Sequence, residues 1–311
     1  MKRKIFNMIT IIICVFVLIE LLIKKEIIYD SVIYALNMWV NNLIPALFPF
    51  FIISDILINY NITLYIPKII KDFCKSIFNI TDNMLSILFL SMISGFPSNA
   101  RNTRIMYDNN LISLEEANHI LIFSHFSNPI FVLTTVGVFF FNYESVGIIL
   151  LIAHYLSNFI LGFLCRGKIK ISPNSKNNLC IEDKSFGGVF IDAIRKAIDT
   201  ILLICGIIVI NLLLSSIVTN AFNFNVYNSV LVKGLFEITI GIDAISKIDL
   251  SLRFKMIITS CFLAFGGLSV HMQVYSQIVN TKIKYIYFFL GRIWQAILAG
   301  IITYFLYFTI I

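Results

Sequence analysis

Charged residues are scarce in this 311-residue chain. Asp, Glu, Lys and Arg make up 13% of it, whereas an average soluble domain has about 25%. Hydrophobic residues make up 59%, and the mean hydropathy is +0.89. One core cannot hide so much apolar surface, because a soluble protein always has an exterior to cover. The shortage of charge therefore excludes a soluble domain and indicates that lipid is the solvent.

Residues that bind metals or perform nucleophilic chemistry lack the required spacing. The six cysteines form no CxxC pair, and the four histidines are scattered along the chain. The sequence contains no HExxH, GxSxG or Walker motif, and Ser124-His125 has no orienting acid near it in the sequence. We therefore expect no metal site, no cofactor and no enzymatic activity.

Acidic residues are fewer than basic ones, which gives a formal net charge of +7. The basic residues lie between apolar runs, where they orient membrane helices, and this argues against nucleic acid as a partner. They are concentrated in residues 2–4 and in the polar stretch 166–184. We therefore expect the N-terminus and this loop to be cytoplasmic, and the lipid bilayer to be the main partner.

Apolar runs of membrane-spanning length dominate what is present. The clearest lie at 5–23, 201–218 and 285–311, close to or above the roughly 20 residues that a spanning helix needs. They do not alternate apolar with polar residues, so helices are expected and barrel strands are not. The sequence predicts an all-α, polytopic helical membrane protein, with residues 1–25 as an uncleaved first span.

A basic amphipathic segment occupies residues 60–83. Lys68, Lys71 and Lys75 lie three or four positions apart, with apolar residues between them. This spacing predicts a helix that lies in the membrane interface.

The two halves of the chain share an order of interrupted apolar segments. Each half has an interruption, around Gly95 and around Gly241, and then an apolar helix that runs into a second polar break. Such paired interruptions point to a transporter-like binding site between repeats; the alternative is chance similarity among Ile- and Leu-rich helices. We predict two related, inverted repeats with broken or re-entrant helices, at 26–165 and 187–311, joined by a loop at 166–186.

The strongest candidate site residues are Glu237 and Asp243, because ionisable groups at bilayer depth need a partner or a function. They are expected to bind a cation, a proton or the polar edge of a solute; alternatively, both acids are wet at an interface. The other candidates are polar or helix-breaking residues near the interruptions, which alternatively form ordinary loops or join helices: Pro97, Ser98, Asn99, Arg101, Asn128, Thr239, Gly241, Ser269, His271 and Gln273.

Four motifs occur in an order that resembles one family. They are SGFPSNAR at 94–101, HYLSN at 154–158, GLFEITIG at 234–241 and FGGLSVHMQV at 265–274. The chain resembles the YlbJ family of sporulation integral membrane proteins of endospore-forming bacteria, which carry the nucleoside-recognition, or Gate, domain. The resemblance extends over most of the chain, about residues 31–307. One departure is Asn99, where the family usually has glycine.

This resemblance implies a role in building the spore cortex and a transporter-like fold of paired broken-helix repeats. It supplies no substrate. Two hypotheses follow: a secondary transporter or channel-like protein for an unidentified small solute or ion, or a non-transporting scaffold or signalling partner that recruits other sporulation membrane proteins. The first depends on the buried acids, and the second depends on surface features such as the basic helix.

Overall fold

A computed structural model describes residues 2–60, 62–167, 185–222 and 224–310. Throughout these ranges the regular structure is helical and no strand occurs, so the prediction of an all-α polytopic membrane protein is confirmed. Residues 168–184, most of the predicted cytoplasmic loop, lie outside the described ranges.

The first half of the chain contains eight helices and a π-helix, besides a short π-helical turn (Trp39–Leu43) that joins α2 to α3 and a 3₁₀ turn (Ile62–Tyr65). In chain order they are α1 (Lys2–Ile23), α2 (Lys25–Met38), α3 (Ile44–Asn59), α4 (Lys68–Phe78), α5 (Asp82–Ser94), α6 (Ser98–Asp108), α7 (Leu114–Phe123), the π-helix (Phe131–Phe140) and α8 (Glu144–Cys165).

The second half contains the remaining helices. They are α9 (Phe186–Ala221), α10 (Val226–Phe236), α11 (Ile238–Lys247), α12 (Leu252–Phe265), α13 (Gly267–Ile278) and α14 (Tyr285–Ile310).

Five helical stretches among the described residues are long and apolar enough to cross a membrane, or six if the bent pair α4 and α5 forms one span. They are Ile28–Asn59, Glu144–Cys165, Phe186–Ala221, Leu252–Ile278 and Tyr285–Thr309. Their outward faces carry large apolar side chains, which lipid can cover and water cannot. The apolar part of α1, Asn7–Ile23, is shorter than these five.

Helix α4 carries the lysines that predicted an amphipathic helix. The axes of α4 and α5 are bent by 95° relative to each other. Cys74 and Phe78 face inward, while Lys68 and Phe73 are exposed. The helix is confirmed for Lys68–Phe78, and its position at the lipid surface stays a prediction.

Four of the apolar segments are broken rather than continuous. The first break, 95–97, separates α5 from α6 at a left-handed glycine, Gly95 (φ 78°), as predicted. The second, 124–128, separates α7 from the π-helix, the third lies at Glu237 between α10 and α11, and the fourth lies at Gly266 between α12 and α13.

The third break corrects the sequence analysis, which placed it around Gly241. The chain leaves the helix at Glu237 (φ −144°, ψ 120°), because the Glu237 carboxylate accepts a hydrogen bond from Ile240 N and caps α11. Gly241 lies inside α11. A Cβ there would be 2.2 Å from the Cα of Gly234, so this glycine allows the two arms of the broken segment to cross closely.

Apart from α1 and α4, for which the described part of the second half has no counterpart, the element order of the two halves is the same. A long helical segment comes first (α2–α3 or α9), followed by a broken pair (α5–α6 or α10–α11), a second broken pair (α7 and the π-helix, or α12–α13) and a closing helix (α8 or α14). The two long segments pack side by side in opposite directions, since Ser31 contacts Ser216 and Asp55 contacts Lys196. The repeat boundaries and their inversion remain predictions.

Two apolar clusters hold these elements together. One joins α3, the π-helix, α8, α9, α11 and α12, and the other joins α5, α7, α13 and α14 with the end of α8. Because each cluster contains helices from both halves, the halves pack as one body.

Candidate functional site

The breaks pack against each other within each half. A Cβ on Gly95 would lie 2.6 Å from the backbone nitrogen of Asn128, so the first break touches the second. A Cβ on Gly267 would lie 2.9 Å from the carbonyl oxygen of Gly234, so the fourth break touches the third. Only glycine permits these approaches, and both pairs of breaks are thereby fixed in position.

The first three breaks and helix α13, which follows the fourth break, line one central cavity, and this cavity also touches the long segments of both halves. Its water-accessible volume is about 20 Å³, which is room for about one ordered water molecule. In this conformation it fits a water or a small cation, but not a solute of nucleoside size. Its lining residues are Leu43, Leu47, Phe96, Asn128, Phe131, Ile204, Ile208, Glu237, Ile238, Thr239, Val270 and Gln273.

Glu237 is the only acidic side chain of this lining, and 2% of its surface is exposed. Its carboxylate accepts hydrogen bonds from Ile240 N (2.9 Å) and from the Thr239 hydroxyl (3.2 Å), and the Ser269 hydroxyl also approaches it. The N-terminus of α11 thus stabilises the negative charge. Among the described residues no basic side chain forms an ion pair with it.

Other second-half candidates divide between the cavity and its surroundings. Gln273 lines the cavity, and its side-chain oxygen Oε1 has no hydrogen-bond partner. Thr239 also lines it, beside Glu237. His271 lies away from the cavity, where its Nδ1 is hydrogen-bonded to the Tyr285 hydroxyl. Gly241 serves helix packing, as described above.

Of the first-half candidates, only Asn128 is among the described residues that line the cavity. Its side-chain oxygen accepts a hydrogen bond from Ile130 N (2.9 Å) and caps the helix that follows. Ser98 and Asn99 are buried in the first turn of α6, next to Pro97, and their side chains have no hydrogen-bond partner. Because Asn99 is helical there, the departure from glycine requires no left-handed backbone.

Arg101 forms an ion pair with another residue of the protein and does not line the cavity. Its Nη2 lies 2.8 Å from Asp55 Oδ1, and Lys196 Nζ lies 3.1 Å from Asp55 Oδ2. Asp55 is buried, with 1% of its side chain exposed. This ion triad ties α6 to α3 and α9, at the end of the bundle where α9 begins.

Asp243 lines a different space from Glu237. It accepts hydrogen bonds from the Tyr34 hydroxyl (2.8 Å) and from Lys247 Nζ (2.7 Å). Together with Asp30 and Lys233 it lines an open vestibule of about 440 Å³ between α2, α9, α10 and α11. The structure therefore separates the two acids that the sequence analysis grouped.

Sequence reasoning missed Asp55 and Arg292, which are both buried. A signal for each was present: one ionisable residue stands inside an otherwise apolar run, where a charge is costly. Asp55 interrupts the run that ends α3, and Arg292 lies near the start of α14.

Comparison with known proteins identifies the family of this chain. A protein of Bacillus subtilis (strain 168) named sporulation integral membrane protein YlbJ is 32% identical over 302 residues, which cover 86% of this chain and 74% of the relative. No protein-family model matches the chain, and no solved structure matches it. The identity and coverage agree with the resemblance that the four sequence motifs indicate. The chain therefore belongs to the YlbJ family of sporulation integral membrane proteins.

Proposed function

We propose that the protein is a secondary transporter or channel-like protein for a small solute, and that it acts in a sporulation membrane during formation of the spore cortex. The observation that carries this proposal is a cavity that three helix breaks and helix α13 line from both halves of the chain, and that contains a buried carboxylate. Broken helices at the contact between two related halves are typical of transporter binding sites. The name of the Bacillus subtilis relative supports the sporulation context.

Glu237 would bind the coupling ion, a proton or Na⁺. The carboxylate, the Thr239 hydroxyl and the unpartnered Oε1 of Gln273 all border the cavity. Hard cations prefer such oxygen ligands, and the cavity volume suits one desolvated ion. The described residues contain no cluster of three His, Cys, Asp or Glu side chains that suits a multivalent metal.

The two ends of the bundle differ in a way that fits alternating access. At one end, the ion triad of Asp55 closes α6 against α3 and α9. At the other end, the vestibule lined by Tyr34 and Asp243 is open and has a volume of about 440 Å³. We infer that transport requires the triad to open while the vestibule between α2, α9, α10 and α11 closes.

Uptake by proteoliposomes tests the proposal. Candidate nucleosides, peptidoglycan precursors and ions are offered to vesicles with an imposed proton or Na⁺ gradient. We expect at least one solute to accumulate, and Glu237→Gln to abolish gradient-driven uptake. Glu144→Gln is the matched control, because Glu144 is exposed at the start of α8. If every candidate stays outside and Glu237→Gln still supports spore formation in a strain without YlbJ, the protein is not a transporter of this kind.

A second candidate function is a non-transporting scaffold in cortex assembly. It is favoured by the exposed face of α4, where Lys68 and Lys75 flank the exposed ring of Phe73. Under this function, reversal of the α4 lysine charges stops spore formation while Glu237→Gln does not. If the protein is a transporter, Glu237→Gln stops spore formation and reversal of the α4 lysine charges does not.

A further inference from the structure

Arg292 is a completely buried cation in a membrane-spanning helix. It lies in α14, about 10 Å along the helix axis from Tyr285, and none of its surface is exposed. A Cβ on the preceding residue, Gly291, would lie 2.3 Å from the carbonyl oxygen of Ile122. This close approach presses α14 against the end of α7 and fixes the place of the guanidinium group.

Most of the hydrogen-bonding capacity of Arg292 is unused. Its Nη2 donates to the carbonyl oxygen of Ile122 (2.7 Å), while Nε and Nη1 have no partner. The guanidinium carbon lies 5.2 Å from the centre of the Phe288 ring. Among the described residues no Asp or Glu pairs with it. A guanidinium removed from water without an anion is costly.

The second break, which begins two residues after Ile122, carries further polar groups without a hydrogen-bond partner. The hydroxyl groups of Ser124 and Ser127 and both ring nitrogens of His125 have no hydrogen-bond partner, although all three residues are fully buried. The His125 ring lies 5.2 Å from the Phe288 ring that Arg292 also contacts. These described side chains therefore offer several hydrogen-bond donors and carry no negative charge themselves.

A purely structural role explains only part of this arrangement. Arg292 satisfies one carbonyl at the C-terminal end of α7, where a cation is favourable. That contact uses one of its five N–H groups. It leaves Nε–H, both N–H groups of Nη1 and the second N–H of Nη2 without a partner. The second N–H of Nη2 forms a forked edge with either Nε or Nη1, and such an edge matches a carboxylate or phosphate group in shape.

We propose that Arg292, with Ser124, His125 and Ser127, binds an oxyanion, the phosphate or carboxylate group of the solute. The site adjoins the central cavity through one ring contact, since His125 stacks on Phe96 at 5.1 Å and Phe96 lines that cavity. The inference rests on the proposed transport function and narrows it to an anionic solute. Glu237 would then bind the coupling cation while Arg292 binds the anion.

Thermal unfolding of the purified protein in detergent tests the site. Inorganic phosphate and sodium acetate are each titrated at constant ionic strength, with chloride as the replaced anion. We expect one of them to raise the unfolding midpoint by about 3 °C at ten times its Kd, and the effective anion identifies the group. Arg292→Gln abolishes the shift. Arg195→Gln, which removes an exposed arginine of α9, retains it.

Three further results decide the proposal. Arg292→Lys keeps the charge but loses the forked edge, so it should fold and bind the anion at least tenfold more weakly. Glu237→Gln should retain the anion shift while it loses uptake, so a failure of transport and a failure of the anion site are separate findings. The proposal is overturned if neither anion shifts the midpoint of the unmodified protein, or if all variants shift equally.

Discussion

Removal of the Arg101 side chain gives the sharpest test of how the bundle is held closed. Arg101→Gln leaves the Asp55 carboxylate, 1% exposed, with Lys196 as its one remaining cation, and the Lys196 side chain is 49% exposed. Loss of one partner from a buried ion pair costs about 3–5 kcal/mol, because the other charge stays buried. Since Lys196 still compensates part of that charge, we expect a loss of about 2–3 kcal/mol in the free energy of unfolding.

The assay is thermal unfolding in detergent, followed by intrinsic fluorescence. A loss of this size should lower the midpoint by about 3–6 °C. Lys75→Gln is the control, because it removes a 2.9 Å ion pair with Asp82 in which both side chains are partly exposed. Exposed pairs contribute about 0–1 kcal/mol, so the control midpoint should fall by less than about 2 °C.

A double variant separates charge burial from simple loss of packing. In Arg101→Gln/Asp55→Asn the uncompensated charge is gone, so at least about 1 kcal/mol of the loss should be recovered. The reasoning is refuted if Arg101→Gln costs no more than the Lys75 control. It is also refuted if the double variant is no more stable than Arg101→Gln alone.

Two predictions concern backbone packing and capping, and both are measured by the same thermal unfolding assay. Gly241→Ala places a Cβ 2.2 Å from the Cα of Gly234 and should cost about 3 kcal/mol. Gly206→Ala on α9, where a Cβ would meet nothing within 4 Å beyond the adjacent backbone of its own helix, should stabilise by about 0.5–1 kcal/mol. Equal effects would contradict the close crossing of α10 and α11. Ser113→Ala removes the capping box of α7 and should cost about 1 kcal/mol. Ser251→Ala, at an N-cap whose side chain makes no capping hydrogen bond, should change the midpoint little. A larger effect at Ser251 than at Ser113 would count against the capping argument.

Local features of the fold could be predicted from local sequence. The N-cap at Ser113 and the interruption at Gly95 follow from residue types whose backbone preferences act over a few positions. The break at Glu237 was misplaced to Gly241, because glycine is a common sign of an interruption. In the structure the glutamate caps the second arm, and the glycine permits the arms to cross.

Long-range partners could not be predicted from the sequence. Arg101 was assigned to the cavity, but its partner Asp55 lies 46 positions away, on a helix that only the packing brings alongside α6. Glu237 and Asp243 are six positions apart in a nearly continuous helical segment. They lie at different positions along α11, about 9 Å apart along its axis, and therefore line different cavities.

The sequence by itself determined that this chain is a bundle of membrane helices, because apolar content and the length of apolar runs depend only on composition and order. It also determined where the first break lies. Only the tertiary structure decided that three breaks and helix α13 line one cavity with Glu237, that Arg101 pairs with Asp55, and that Arg292 is buried without an anion among the described residues. These facts depend on contacts between helices far apart in the chain, and the energy of such contacts is set by packing rather than by local residue preference.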